Sequence, residues 1–268
     1  MKTRLAAHRG YKTDYPENTL LSFRKAFEED VDQIETDVHM TKDGVLVLMH
    51  DHSVDRTTNG SGLVSDLTFE EIRALDAGAW KDPAFAGEKV PTLRELFELM
   101  RDYPDKEINV EFKDYPCRTG AFAYESADRT VEMIEEFGYG GRIYVNSFAG
   151  DILEYVSKKY RGRYRLHGFY PAFVMNGDFD EETIYDRLFC CCLVNRVLLP
   201  DGSTAVREDP LYPQAYFDAV KAKGPEIWVH FQKDTEELMK ACVERGVNAF
   251  TSDDPRLAAE ILRKLGCR

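Results

Sequence analysis

Short runs rich in β-branched and aromatic residues alternate with amphipathic stretches of helical period along the whole chain. The strand-like runs lie near residues 4–8, 31–37, 107–112, 142–147, 165–170, 193–198, 226–230 and 249–252. A helical pattern between consecutive strands predicts parallel strands joined by crossovers, because a parallel pair cannot be closed by a tight turn. Eight such strands predict an α/β fold, a (β/α)8 TIM barrel. Local chemistry marks several helix starts. Thr68-Phe69-Glu70-Glu71 and, behind Pro91, Thr92-Leu93-Arg94-Glu95 are capping boxes, and Asp254-Pro255 pairs an N-cap with proline at the first helical position.

Two places depart from that alternation. The stretch 51–90 is too long for a plain strand-to-helix loop and carries its own capping box, so it is expected to form a small inserted subdomain after the second strand. Residues 33–41 and 45–50 are both strand-like yet only Lys42-Asp43-Gly44 separates them, which predicts an antiparallel hairpin. Pairing on either side of Asp43-Gly44 places His50 opposite Asp37, and a four-residue turn places it opposite Glu35. Either register brings the histidine near those carboxylates.

Composition narrows the picture. At 268 residues the chain is close to the roughly 250 of a single barrel, so one domain over residues 1–268 is expected. The 48 acidic and 35 basic residues leave a net charge of −13, which disfavours nucleic acid and anionic membrane surfaces where no basic patch is visible. The chain begins Met-Lys-Thr-Arg and runs directly into a strand, and its longest nearly unbroken apolar run, 188–194, is far shorter than the roughly 20 residues that span a bilayer. A cytoplasmic protein without stable membrane insertion is therefore expected, and its oligomeric state is open. Of six cysteines, Cys190, Cys191 and Cys192 are consecutive and none shows zinc spacing, so they are expected to be reduced, packed beside an apolar strand and without a catalytic part.

Glu35 and Asp37, two apart on a strand, point to the same face. Two like charges so close need a neutralising cation, and hard divalent ions take carboxylate oxygens readily. Glu111, near the end of the next barrel strand, can complete the cluster, with Lys113 on its face and Arg9 following His8 at the end of the first strand. All of these fall at strand C-terminal ends, where barrel enzymes assemble their sites. Cations beside carboxylates that hold a metal suggest an anionic substrate.

The residues carry a resemblance. His8-Arg9-Gly10, Pro16-Glu17-Asn18-Thr19, Glu35-Thr36-Asp37, His50-Asp51, Asp55-Arg56-Thr57-Thr58 running to Gly62, Pro91-Thr92-Leu93, Glu111-Phe112-Lys113 and Ser147-Phe148 occur in an order that resembles the glycerophosphodiester phosphodiesterase family over roughly residues 1–150. The resemblance implies that Glu35, Asp37 and Glu111 hold one divalent ion, Mg²⁺ or Ca²⁺, and that His8 and His50 act as general acid and base. It implies further that Arg9 and Lys113 contact the phosphate of a small glycerophosphodiester and that Glu17 and Asn18 order the loop after the first strand. Phe148 and Trp228 are the aromatic residues expected near substrate. On the seventh strand, Trp228-Val229-His230-Phe231 keeps the aromatic of the family's Trp-Thr-Val-Asn and lacks its Asn. Residues 195–207 match no pattern and are expected to form a loop over the mouth.

The implied reaction is hydrolysis to glycerol 3-phosphate and an alcohol. The glycerol 2-hydroxyl suggests a cyclic phosphate on the way, since well-oriented intramolecular attack gains effective molarities of about 10⁵–10⁸ M. The competing expectations are a lysophospholipase D or related lipase on the same fold, which needs an apolar lip, and a catalytically silent phosphate-binding protein.

Overall fold

The computed structural model describes residues 2–175, 184–199 and 204–268. Its strands are β1 (Arg4–His8), β2 (Gln33–Met40), β3 (Leu46–Leu48), β4 (Glu107–Phe112), β5 (Ile143–Asn146), β6 (Arg165–Tyr170), β7 (Cys190–Leu193), β8 (Arg196–Leu198), β9 (Thr204–Val206), β10 (Glu226–His230) and β11 (Ala249–Ser252). Eight of them, in the order β1-β2-β4-β5-β6-β7-β10-β11, pair in parallel, and β1 against β11 closes the (β/α)8 barrel. Side chains alternate across each strand. Leu5, Ile34, Val110, Val145, Leu166, Cys191, Val229 and Phe250 face outward and join the main core, which also takes in Phe23 and Phe27 of helix Leu20–Phe27 and Val131 and Ile134 of helix Ala121–Glu136. All three cap signals in the sequence are used, at Thr68, Thr92 and Asp254. Among the described residues no helix is long and apolar enough to cross a membrane.

The hairpin register differs from both expected ones. Val38 pairs with Leu48, His39 with Val47 and Met40 with Leu46, so continuing the ladder puts His50 level with Thr36, between Glu35 and Asp37. The cause is a loop of three residues, 42–44, closed by Val45 and Thr41 and completed by Gly44 at φ 84, the left-handed residue that such loops require. Segment 51–90 then folds against the back of β3. Val54, Val64, Ile72, Ala77 and Val90 bury with Val47 and Met49 in a cluster separate from the main core.

The sixth barrel strand is Cys190–Leu193, earlier than the expected 193–198. The cysteines are the strand rather than its neighbours: Cys190 pairs with His167 and Cys192 with Phe169 and Trp228, so small thiols fill the interior opposite large rings. Beyond Val194 the chain leaves the barrel, and β8 and β9 form an antiparallel ribbon.

At the exit of β1 the backbone turns through positive φ at Arg9 (55°) and Gly10 (80°). A Cβ on residue 10 would lie 2.0 Å from Ser22 Oγ and 2.8 Å from the Ser22 carbonyl carbon. Gly10→Ala is therefore expected to destabilise the fold by more than about 1 kcal/mol, read as a lowered urea midpoint. An unchanged midpoint would show that the turn tolerates a side chain.

Candidate active site

The C-terminal ends of the strands surround a cleft of about 1170 Å³. Near its centre Glu35 and Asp37 of β2 and Glu111 of β4 are buried, with one potential ligand oxygen from each lying within 4.8 Å of the others. The pairing of Asp37 with Glu111 places these two side by side. Lys113 Nζ lies 2.7 Å from Glu111 Oε1 and 3.2 Å from Asp37 Oδ1, and Arg9 Nε lies 3.4 Å from Asp37 Oδ2. Asn18 Nδ2 donates to Asp37 Oδ2 at 2.8 Å, the Tyr115 hydroxyl to Glu111 Oε1 at 3.0 Å, and the Arg9 backbone N–H to Glu35 Oε2 at 3.1 Å.

The electrostatics are uneven. Burial pushes Asp37 upward, but Lys113 and Arg9 outweigh it and hold the carboxylate well below its usual range. Glu35 goes the other way: burial, then Asp37 and Glu111, push it well above. Three carboxylates thus share two cations, so a third negative charge, on Glu35, is unfavourable, and that carboxyl keeps its proton unless a further cation compensates it. A cluster of hard oxygen donors short of one cation fits a divalent ion such as Mg²⁺ or Ca²⁺. Asp37 Oδ1 is buried and, apart from the poorly aligned Lys113 ammonium, receives no hydrogen bond from the described residues.

Two histidines flank this cluster, each tied to a carboxylate through Nδ1. His8 Nδ1 is 2.5 Å from Asp253 Oδ1, and His50 Nδ1 is 2.7 Å from Asp51 Oδ1. Asp253, despite burial, is held far down by His230 and His8, and Asp51 is held down by Arg56, so both carboxylates are ionised acceptors. Each imidazole must then donate from Nδ1, leaving Nε2 as the lone-pair nitrogen. His8 Nε2 is 3.9 Å from Glu35 Oε2, and His50 interacts with the charge on Asp37. Burial, followed for His8 by Arg9, lowers the first imidazole well below its ordinary value, and burial also lowers His50. Both are neutral at pH 7.

Of the two residues expected to order the loop after β1, Glu17 bonds arginines and Asn18 bonds β2. Glu17 accepts from Arg9 at 2.9 Å and from Arg56 at 2.8 and 3.0 Å, while Arg56 also grips Asp51, so the 51–90 segment is fastened to the turn after β1. Asn18, at φ 55, also accepts from the Thr36 hydroxyl at 2.9 Å. Phe148 lines the cleft, stacked on Phe169 at 3.6 Å with Lys113 Nζ 5.7 Å from its ring. Trp228, the other aromatic expected near substrate, is fully buried beneath the mouth, donates from Nε1 to Glu226 at 3.2 Å and packs on His167 and Tyr144, outside the residues that line the cleft. Residues 195–207, as far as they are described, supply the β8–β9 ribbon at the rim.

Sequence reasoning missed Asp253 and His230. His230 Nε2 is 3.3 Å from the Asp253 oxygen that holds His8, and the two rings are 4.3 Å apart. The signal was present: Asp253 directly follows the last strand, which neighbours β1 in a closed barrel. Cys192 also reaches the cleft, but burial, Glu111 and Glu35 push its thiol up to about 12, which keeps it protonated and a poor nucleophile.

Neutral imidazoles beside oxygen donors and buried cations suit proton transfer at an anionic ester, and the protein is a barrel hydrolase. The chain belongs to the Glycerophosphoryl diester phosphodiesterase family, whose model matches residues 8–257. It is 34% identical over 270 residues to the glycerophosphodiester phosphodiesterase of Caldanaerobacter subterraneus subsp. tengcongensis, covering 99% of this chain and 100% of that one. Its fold is similar to an Oleispira antarctica phosphodiesterase in complex with the product sn-glycerol-3-phosphate, with TM-score 0.80, 23% identity and coverage of 97% and 96%. The glycerophosphodiester phosphodiesterase from Agrobacterium tumefaciens gives TM-score 0.75, 23% identity and coverage of 96% and 99%.

Behind β10, Asp234 is buried and accepts from the Ser252 hydroxyl, which in turn accepts from the Asp254 N–H. Burial first, then Asp253 and Asp254, raise its carboxyl to about 7 despite the Ser252 hydrogen bond. A carboxyl raised on folding contributes stability that is fully present below its unfolded value of about 3.9 and is lost as pH rises to its folded one. The Tm of Asp234→Asn relative to the parent should therefore climb between pH 5 and pH 8. A difference that does not move with pH would refute a protonated Asp234.

Proposed function

We propose that this chain hydrolyses glycerophosphodiesters to glycerol 3-phosphate and an alcohol with one divalent metal ion, and that His8 and His50 perform the proton transfers. The observation that carries this reading is the pair of carboxylate-anchored neutral histidines on a carboxylate trio short of one cation. Glu35, Asp37 and Glu111 would hold the ion, which when bound supplies charge stabilisation at phosphoryl oxygens. Arg9 and Lys113 draw the phosphate in and balance its charge, and such preorganised groups usually give the largest catalytic gain. One neutral histidine takes the proton of the glycerol 2-hydroxyl through Nε2, and its partner, which gains a proton at Nε2 when the anionic phosphodiester binds beside it, delivers that proton to the departing alkoxide. Attack by the 2-hydroxyl forms the new P–O bond as the ester P–O bond breaks, giving a cyclic glycerol phosphate that water then opens. Asp253 and Asp51 keep both rings in the tautomer the transfers need. Segment 51–90 is, in this reading, an inserted subdomain whose task is to present His50 and Asp51.

A second reading, action on lysolipid diesters, is favoured by apolar side chains at the rim: Val174, Met175 and the exposed Val206. Rates on lysolipid and water-soluble diesters above and below the micellar threshold separate the two.

Chelation should abolish turnover, and Glu35→Gln should weaken Mg²⁺ or Ca²⁺ in a calorimetric titration together with activity. Full activity after exhaustive chelation, or an unchanged titration, would defeat the assignment. His8→Ala and His50→Ala should each retain the fold and lose activity severely. A diester lacking the 2-hydroxyl should bind nearly as well as its parent and turn over roughly 10³-fold or more slowly. Comparable rates would replace the cyclic route by direct attack of water.

A further inference from the structure

On the floor of the cleft, away from His8 and His50, three adjacent strands point polar side chains inward: Asn109 from β4, Asn146 from β5 and His167 from β6. All three are more than nine-tenths buried. Asn109 Nδ2 and His167 Nδ1 are 2.7 Å apart, while Asn109 Oδ1, Asn146 Oδ1 and His167 Nε2 have no hydrogen-bond partner among the described residues. Unpartnered polar atoms in so buried a place are costly unless something fills the space and bonds to them.

The atoms define what fits. With the Asn109 amide donating to Nδ1, the ring proton is on Nε2, and the floor offers that N–H and the Asn146 amide N–H groups beside two carbonyl acceptors. Flipping the amide exchanges these roles and still leaves donors and acceptors together. A hydroxyl, which both donates and accepts, satisfies such a set; an ammonium, which only donates, leaves a donor unmatched, and a trimethylammonium group satisfies none of it. Burial pulls His167 down to about 3, so the ring is a neutral partner. Glu111 pairs with Asn146, so the floor adjoins the carboxylate cluster.

We propose that Asn109, Asn146 and His167 form a subsite for the hydroxyls of a polyol leaving alcohol, of the glycerol or inositol type. The inference rests on the phosphodiesterase reading above. There the glycerol that keeps the phosphate lies with its 2-hydroxyl against a histidine, and the departing alcohol needs a histidine only at its ester oxygen. The rest of that alcohol extends along the floor.

The test is kcat/KM on a panel in which only the leaving alcohol changes: glycerol, inositol, choline and n-propanol, the last being glycerol without the two hydroxyls that are not esterified. The parent enzyme should favour the polyols over choline and propanol by roughly tenfold or more, the scale of one or two buried hydrogen bonds. His167→Phe keeps a ring against Phe169 and Trp228, and Asn146→Leu is a second, independent change. Each should bring the polyol-to-propanol ratio toward one, with folding checked by thermal melting. Equal rates across the panel in the parent enzyme mean that the floor holds ordered water only and overturn the proposal. So does a loss in the variants that is uniform across the panel, because the floor would then serve the shared glycerol or the fold. Hydrolysis of none of the diesters overturns the phosphodiesterase reading and this inference with it.

Discussion

Burying Glu35, Asp37 and Glu111 within reach of one another is unfavourable by itself, because each loses hydration and each repels the other two. Much of the barrel mouth answers that cost. Lys113 lies between Asp37 and Glu111, Arg9 comes from β1 to Asp37, and Asn18, Tyr115 and the Arg9 backbone N–H supply neutral hydrogen bonds. The compensation is incomplete, and the residue on which it falls short, Glu35, is the one nearest His8 Nε2. The structure thus leaves its least compensated carboxyl beside the His8 ring.

This arrangement depends on chain segments far apart in sequence. The turn after β1 places three devices, Arg9 with its backbone in the left-handed region, Gly10 packed where no Cβ fits, and Glu17 reaching back to Arg9. Arg56, from the 51–90 segment, bridges Glu17 to Asp51 and so ties the turn to the carboxylate that orients His50. Asp253, from the opposite end of the chain, does the same for His8. Each histidine is therefore positioned by a group that the barrel's closure or the insertion delivers, which explains why a short motif is not enough to build the site.

How far the sequence reveals this follows from which interactions are local. The strand and helix alternation, the three caps and the spacing of Glu35 and Asp37 are local patterns, and the barrel and the carboxylate pair were legible from them. The hairpin was legible while its register was not, because Lys42-Asp43-Gly44 permits several turns and the choice depends on the conformation of Gly44. The sixth strand was displaced because three cysteines carry no strong strand signal, and their place is set by large rings on β6 and β10 that only the closed barrel brings opposite them. Asp253 and His230 were overlooked for a related reason: their contacts with His8 join distant parts of the chain, and the adjacency of the last strand to β1 in a closed barrel is the one signal of them.

The two ends of the barrel use the same residue types to opposite effect. At the N-terminal end Arg4 pairs with Glu226 and Arg165 with Glu107, and the Tyr144 hydroxyl lies 2.6 Å from Arg4 and 2.7 Å from Arg165. Two cations meet two anions there, and the Trp228 N–H donates to Glu226, so the set closes on itself and seals the interior. Above it, Asn109, Asn146 and His167 leave atoms unpaired among the described residues, and at the mouth three carboxyl groups face two cations. Polar saturation decreases along the barrel axis from base to mouth. A neutral, fully bonded base gives rigidity without inviting a ligand, whereas each unmet group higher up is a demand that only something from outside the chain can satisfy, and the direction of that gradient is what makes one end of this barrel a foundation and the other a site.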